Sequence, residues 1–112
     1  ESRDIVTTVR MHGPTTAVGG ELAEHAEAVT AEAVSNAVRH SGASRLTVDV
    51  DVADMLTLDI TDNGNGIPAD NHRRSGLANM MYRAEQVGGH CEISNQAAGG
   101  ARVHWTAPLT DH

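Results

Sequence analysis

The chain has 112 residues, enough for one domain with a single modest core. Its formal net charge of -7 disfavours nonspecific binding to nucleic acid or to an anionic membrane. No apolar run approaches the ~20 residues that span a bilayer, and no signal-peptide pattern is present; the single cysteine, Cys91, has no internal disulfide partner, which fits a reducing cytoplasm.

All eight basic residues are arginine, and the chain has no lysine and no phenylalanine. Trp105 and Tyr82 are the only aromatics, so base-stacking platforms are scarce and the core is expected to consist of Val, Leu, Ile, Ala and Met. The start, Glu1-Ser2-Arg3 without Met, reads as a piece of a longer protein.

Residues 5–11 alternate as a short strand, broken by Gly13-Pro14. Residues 21–40 read as a helix, rich in alanine and free of glycine and proline, with an apolar stripe of Leu22, Ala26, Val29, Ala33 and Ala37; Ser41-Gly42 ends it. In 45–52, Leu46, Val48, Val50 and Val52 alternate with Arg45, Thr47, Asp49 and Asp51, the pattern of a half-buried strand. A turn at Asp54 joins it to a second strand, 55–61, as a hairpin. Residues 63–75 are loop, with Ser75 as the expected N-cap of a helix over 76–87 that Gly88-Gly89 stops. A strand over 91–94, a turn over 96–100 and a strand over 101–107 complete an order β, α, β, β, α, β, β. Hairpins dominate that order, which predicts a two-layer α/β sandwich: a mixed, mostly antiparallel sheet with helices on one face.

Three stretches carry chemistry. On the long helix, Glu32, Asn36, Arg39 and His40 fall within about 100° of arc beside the apolar stripe. A carboxylate and an amide one turn apart can hold Mg²⁺ directly and through its waters, and Arg39 and His40 can meet phosphate oxygens. A solvated helix face explains the same four residues. Asp62-Asn63-Gly64-Asn65-Gly66-Ile67 follows the second hairpin strand, placing a carboxylate at a strand end beside glycines that permit positive φ and close ligand approach. An Asn-Gly hairpin turn is the bland rival. A dinucleotide fingerprint fails because no helix opens there, and an EF-hand fails because position 12 of the loop is Arg73. Ser75-Gly76-Leu77 opens a helix whose free amides favour an anion, or are simply capped. No P-loop pattern occurs, and the seven histidines show no paired metal spacing.

Together these segments resemble the ATP-binding catalytic domain of bacterial sensor histidine kinases, within the gyrase, heat-shock-chaperone, kinase and mismatch-repair ATPase superfamily. Glu32 to His40 looks like the asparagine box, Asp62 to Ile67 like the first glycine box, and Gly76-Leu77-Ala78-Asn79-Met80-Met81-Tyr82-Arg83-Ala84 like the second. The form of the second box, with the later Gly-Gly and final hairpin, is similar to the nitrate-sensor-like subgroup; the arginine-only, alanine-rich composition looks actinobacterial, and the chain is similar to the mycobacterial oxygen-sensing dormancy kinases. The resemblance spans about residues 20–108.

It implies a Bergerat-type fold for one domain, 1–112, with ATP and Mg²⁺ as cofactors. Asp62 would recognise the adenine amine. Asn36 would ligate Mg²⁺, with Glu32 supporting it through water or polarising a water. Arg39 and His40 would contact phosphates; Gly64, Gly66, Ile67, Gly76 and Leu77 would shape the lid and its phosphate contacts; Met80 would line the adenine pocket. Nine residues separate Gly66 from Gly76, so the lid is short, and Ala101 stands where relatives often have threonine. The implied partners are the dimerisation helices of the same kinase, which carry the acceptor histidine, and a response regulator with a helix-turn-helix output domain. Direct contact of this domain with nucleic acid or membrane is not expected. An anti-sigma-type serine kinase on the same fold and a non-catalytic interaction module remain as other readings.

Overall fold

The structure, a computed structural model, describes residues 5–38, 42–64, 74–97 and 99–109. In chain order its elements are β1 (Val6–His12), a short 3₁₀ turn (Thr15–Ala17), α1 (Gly20–Asn36), β2 (Arg45–Val52), β3 (Met55–Asp62), α2 (Arg74–Gln86), β4 (His90–Asn95) and β5 (Ala101–Pro108). The strands form one sheet in the order β1-β2-β3-β5-β4. β1 pairs parallel with β2 and every other pair is antiparallel. A parallel pair cannot be joined by a tight turn, and α1 supplies the crossover it needs. α2 carries the chain from β3 to β4, and β5 returns between them, so the mixed, mostly antiparallel sheet has its helices on one face.

The period-two alternation decides which face is covered. Leu46, Val48 and Val52 of β2, Leu56, Leu58 and Ile60 of β3, and Val103, Trp105 and Ala107 of β5 are buried against Leu22, Val29, Ala33 and Ala37 of α1 and its end and Met80 and Ala84 of α2. Each large aliphatic side chain so buried contributes about 1.5–3 kcal/mol. The aliphatic core expected from composition is corrected at its centre: Trp105 is its largest wholly buried side chain. The indole is tolerated there because its Nε1–H donates to the Met80 carbonyl at 3.1 Å, which also ties α2 to β5.

Boundaries differ at the helices. α1 is regular through Asn36, then Ala37 and Val38 widen into a π turn; residues 39–41 lie outside the described residues. α2 begins at Arg74, so Ser75 sits inside the first turn and is not the N-cap. A helix's first turn leaves its amides unpaired whatever residue occupies it, and polar residues are accepted there without a capping role. β1 is exposed along its whole length. It leaves an apolar groove of about 530 Å³ against α1, lined by Val9, Met11, Ala26, Thr30, Val34 and Val50 among others, and for that reason Val50 is only half-buried.

The open face is polar. Arg10 grips the Asp49 carboxylate with two nitrogens at 2.7 and 3.1 Å. Asp59 receives Arg102 at 2.8 Å and His104 at 2.9 Å. Partial burial alone would push the Asp59 carboxyl up, but the hydrogen bonds from His104 and Arg102 outweigh it and hold the group below its ordinary value.

Candidate nucleotide site

Antiparallel pairing gathers four chain segments at one end of the sheet. The start of β2 meets the end of β3 at Leu46↔Asp62, the start of β5 meets β3 at Thr61↔Arg102, and the end of β4 meets β5 at Asn95↔Ala101. Asp62, the last residue of β3, therefore sits where the sheet ladder gives out and the chain turns away.

Its surroundings are made of backbone donors. Asp62 Oδ1 accepts the Gly64 amide at 2.9 Å and the Ala101 amide at 3.4 Å, and its main-chain carbonyl accepts Gln96 Nε2 at 3.3 Å. The first of these closes an Asx-type turn. Gly100, at φ +94°, packs so close that an added Cβ would overlap the Asp62 carbonyl. The next residue, Asn63, reaches back across the sheet end. Its Oδ1 accepts the Ser44 and Arg45 amides, both at 2.9 Å, and its Nδ2 donates to Ser44 Oγ at 3.0 Å. Asn63-Gly64 is thus not a hairpin turn: β3 pairs with β2 and β5, and the element that follows it in the chain is α2. Gly64 is also not among the glycines with positive φ, so the freedom expected of it is not used.

The helices supply the rest. Glu32 and Asn36 lie half-buried one turn apart on α1, and neither side chain has a hydrogen-bond partner among the described residues. Arg39, His40, Gly66 and Ile67 lie outside the described residues. α2 ends beside the start of β4, at the sheet end away from Asp62, because His90 pairs with Thr106. Its 13 residues span about 20 Å, so its N-terminus, with Gly76 in the first turn, lies toward the Asp62 end. Those leading amides and the helix dipole favour an anion. Leu77 is half-buried against the core, and Met80 is only 1% exposed within it. Asn63, Gln96 and Gly100 are the site's neighbours that sequence reasoning passed over. The Gly99-Gly100 pair was the available signal for a close approach, while nothing in the sequence announces that Asn63 bonds 18 and 19 residues back.

Residues 21–111 match the family model described as histidine kinase-, DNA gyrase B-, and HSP90-like ATPase. The chain belongs to this ATPase family. Its relatives include the sensor protein VraS of Staphylococcus haemolyticus and of Staphylococcus aureus, each 36% identical over 91 residues, covering 79% of this chain and 26% of the relative. The chain thus spans about a quarter of the length of those curated relatives. Among solved structures, the ATP-binding domain of PrrB from Mycobacterium tuberculosis superposes with a TM-score of 0.72 at 25% identity, over 97% of this chain and 83% of that one. The Acinetobacter baumannii histidine kinase AdeS shares the fold, with a TM-score of 0.77 at 23% identity over 96% of this chain and 56% of that one. The two-layer arrangement is accordingly the Bergerat-type fold of this ATPase family.

Proposed function

We propose that this chain binds Mg-ATP and presents the γ-phosphoryl group to a histidine on a separate dimerisation domain in two-component signalling. The observation that carries the reading is the Asp62 carboxylate. Two backbone amides take Oδ1, and Oδ2 has no partner among the described residues, at the sheet end toward which the start of α2 runs. A carboxylate oxygen held this way accepts the exocyclic N–H of adenine, where guanine carries a carbonyl oxygen instead.

The other roles are those that the family's boxes imply for these positions. Leu77, half-buried, would give the adenine an apolar surface between α2 and the sheet, whereas Met80, expected to line the pocket, is 1% exposed within the core and offers it no open face. Gly64 and Gly76 would flank the lid, which in this reading includes Gly66 and Ile67, outside the described residues. The first amides of α2 would meet the phosphates, and so would Arg39 and His40, which lie outside the described residues. Glu32 and Asn36 fit a Mg²⁺ site: they are oxygen donors one turn apart, half-buried, with no side-chain partner of their own among the described residues. No group of three or more His, Cys, Asp or Glu that could hold a metal occurs among the described residues. A site of one amide and one carboxylate suits Mg²⁺, which keeps several waters and shares the substrate's phosphates. Bound there, Mg²⁺ would neutralise charge on the phosphate oxygens, while Asn36 and Glu32 orient it and Asp62 fixes the adenine end.

In this reading residues 1–112 form one catalytic domain, core about 20–108, of a longer cytoplasmic kinase of the nitrate-sensor-like subgroup, similar to the oxygen-sensing dormancy kinases. Among the described residues no helix is long and apolar enough to cross a membrane. Its partners are the dimerisation helices of the same protein and a response regulator with a helix-turn-helix output domain. Titration with a non-hydrolysable ATP analogue, followed by NMR, tests the site. The Gly64, Leu77 and Ala101 amides should move with ATP and Mg²⁺ and not with the guanine analogue; shifts confined to other surfaces would contradict it.

A further inference from the structure

We propose that Asn63 is a positioning residue for the nucleotide site, acting through Asp62 and tying the adenine side of the site to the start of β2. The inference rests on the reading that Asp62 receives the adenine amine. Asn63 is exposed, so its carboxamide could be satisfied by water at no cost. Instead it makes three short bonds to one distant segment: two accepted from the Ser44 and Arg45 amides at 2.9 Å, one donated to Ser44 Oγ at 3.0 Å. Its own amide adds a longer bond to the Arg45 carbonyl at 3.3 Å.

The location gives these bonds their consequence. The regular β2–β3 ladder reaches its end at Leu46↔Asp62, so Asp62 is the last residue held by sheet pairing. Beyond it the other supports are long, 3.4 Å from Ala101 and 3.3 Å from Gln96, or purely local, as with Gly64. The Asn63 carboxamide is thus the strongest tie between the turn and the sheet. Ser44 and Arg45 belong to the segment through which the chain arrives from α1, which carries Glu32 and Asn36. One side chain therefore sets the turn that aims Asp62 and anchors it to Ser44 and Arg45 at the start of β2.

Asn63→Ala removes all three side-chain bonds. Asn63→Asp keeps the oxygen that accepts both amides, and the Ser44 hydroxyl can donate to the second oxygen. The test compares these two variants with Asp62→Asn, in this chain and in the longer kinase. Affinities for ADP and GDP are measured by competition, and hydrogen exchange is followed at the Gly64 and Ala101 amides, with the Trp105 indole signal as a report on the core. Asn63→Ala should lower ADP affinity about 5–30-fold and shrink the adenine preference. It should speed exchange at Gly64 and Ala101 and leave Trp105 unchanged, and Asn63→Asp should restore most of each effect. A merely structural role would lower the folded fraction and leave the adenine preference as it was, which would overturn the proposal. Unaltered exchange at Gly64 and Ala101 in Asn63→Ala would also overturn it, whatever the strength of nucleotide binding. If Asp62→Asn reduces the preference and Asn63→Ala does not, only the positioning role fails; if Asp62→Asn has no effect, the adenine reading fails and takes the inference with it.

Discussion

Asp62→Asn should cost adenine recognition and leave the fold in place. The substituted amide has one oxygen and one NH₂, and the structure decides which way it turns. Gly64 and Ala101 both aim N–H groups at Oδ1. Turning the NH₂ toward them would leave donors facing donors, at about 1–3 kcal/mol for each acceptor lost. The oxygen therefore stays on the backbone side, and the NH₂ replaces Oδ2 where the adenine amine arrives. A charge-assisted hydrogen bond is lost there, worth about 1.5–3 kcal/mol, or roughly 10–150-fold in affinity. The midpoint of urea unfolding should move little, since every backbone bond in the turn survives. Competition of ADP against GDP, by calorimetry or NMR, reads the effect. ADP affinity within about twofold of the unsubstituted protein would refute the reasoning and reduce Asp62 to a turn residue.

Three further outcomes are expected. Asn36→Ala should abolish the Mg²⁺ dependence of ATP binding; an equal Mg²⁺ effect in both proteins would remove Asn36 from the metal site. Burial, helped by the neighbouring Glu92, pushes the Cys91 thiol up to about 11, so an aromatic disulfide reagent should label the folded chain slowly at neutral pH and faster as pH climbs toward that value. Rapid neutral labelling that matches the unfolded chain would contradict this. Because the folded Asp59 carboxyl lies below its ordinary value, its stabilisation is present above the unfolded pKa and is lost as pH falls through the folded one. Asp59→Asn should therefore destabilise by less than about 1 kcal/mol at neutral pH, the pair being partly solvated, and the gap in urea midpoint should close in acid; a gap independent of pH would count against the Asp59–His104–Arg102 cluster.

The covered face of the sheet could be read from the chain because alternation and burial are one physical fact. Leu46, Val48, Leu56, Leu58 and Ile60 had to point one way, and the stripe of Leu22, Val29, Ala33 and Ala37 had to meet them. Trp105 was harder to place, since a lone tryptophan needs both space and an acceptor, and the Met80 carbonyl that provides one lies on another element. The start of α2 was misjudged at Ser75 because a serine before a helical pattern signals a cap without requiring one. Asp62 stood out through its position after a strand and before glycines. Its supports did not: the amides of Gly64 and Ala101, the Gln96 side chain and the Asn63 clamp depend on strand register, and register is a property of the whole sheet.

The central claim is that this chain carries ATP to a histidine located elsewhere. Incubation with γ-labelled ATP tests it most directly, comparing this chain with a dimeric form of the longer kinase that includes the upstream helices. Only nine residues separate Gly66 from Gly76, so this chain alone should bind ATP weakly, and with the acceptor histidine elsewhere it should take up no label. The longer form should acquire acid-labile label on a histidine of the added helices, and Asn36→Ala should prevent it. Acid-labile label on one of this chain's own seven histidines would contradict the account.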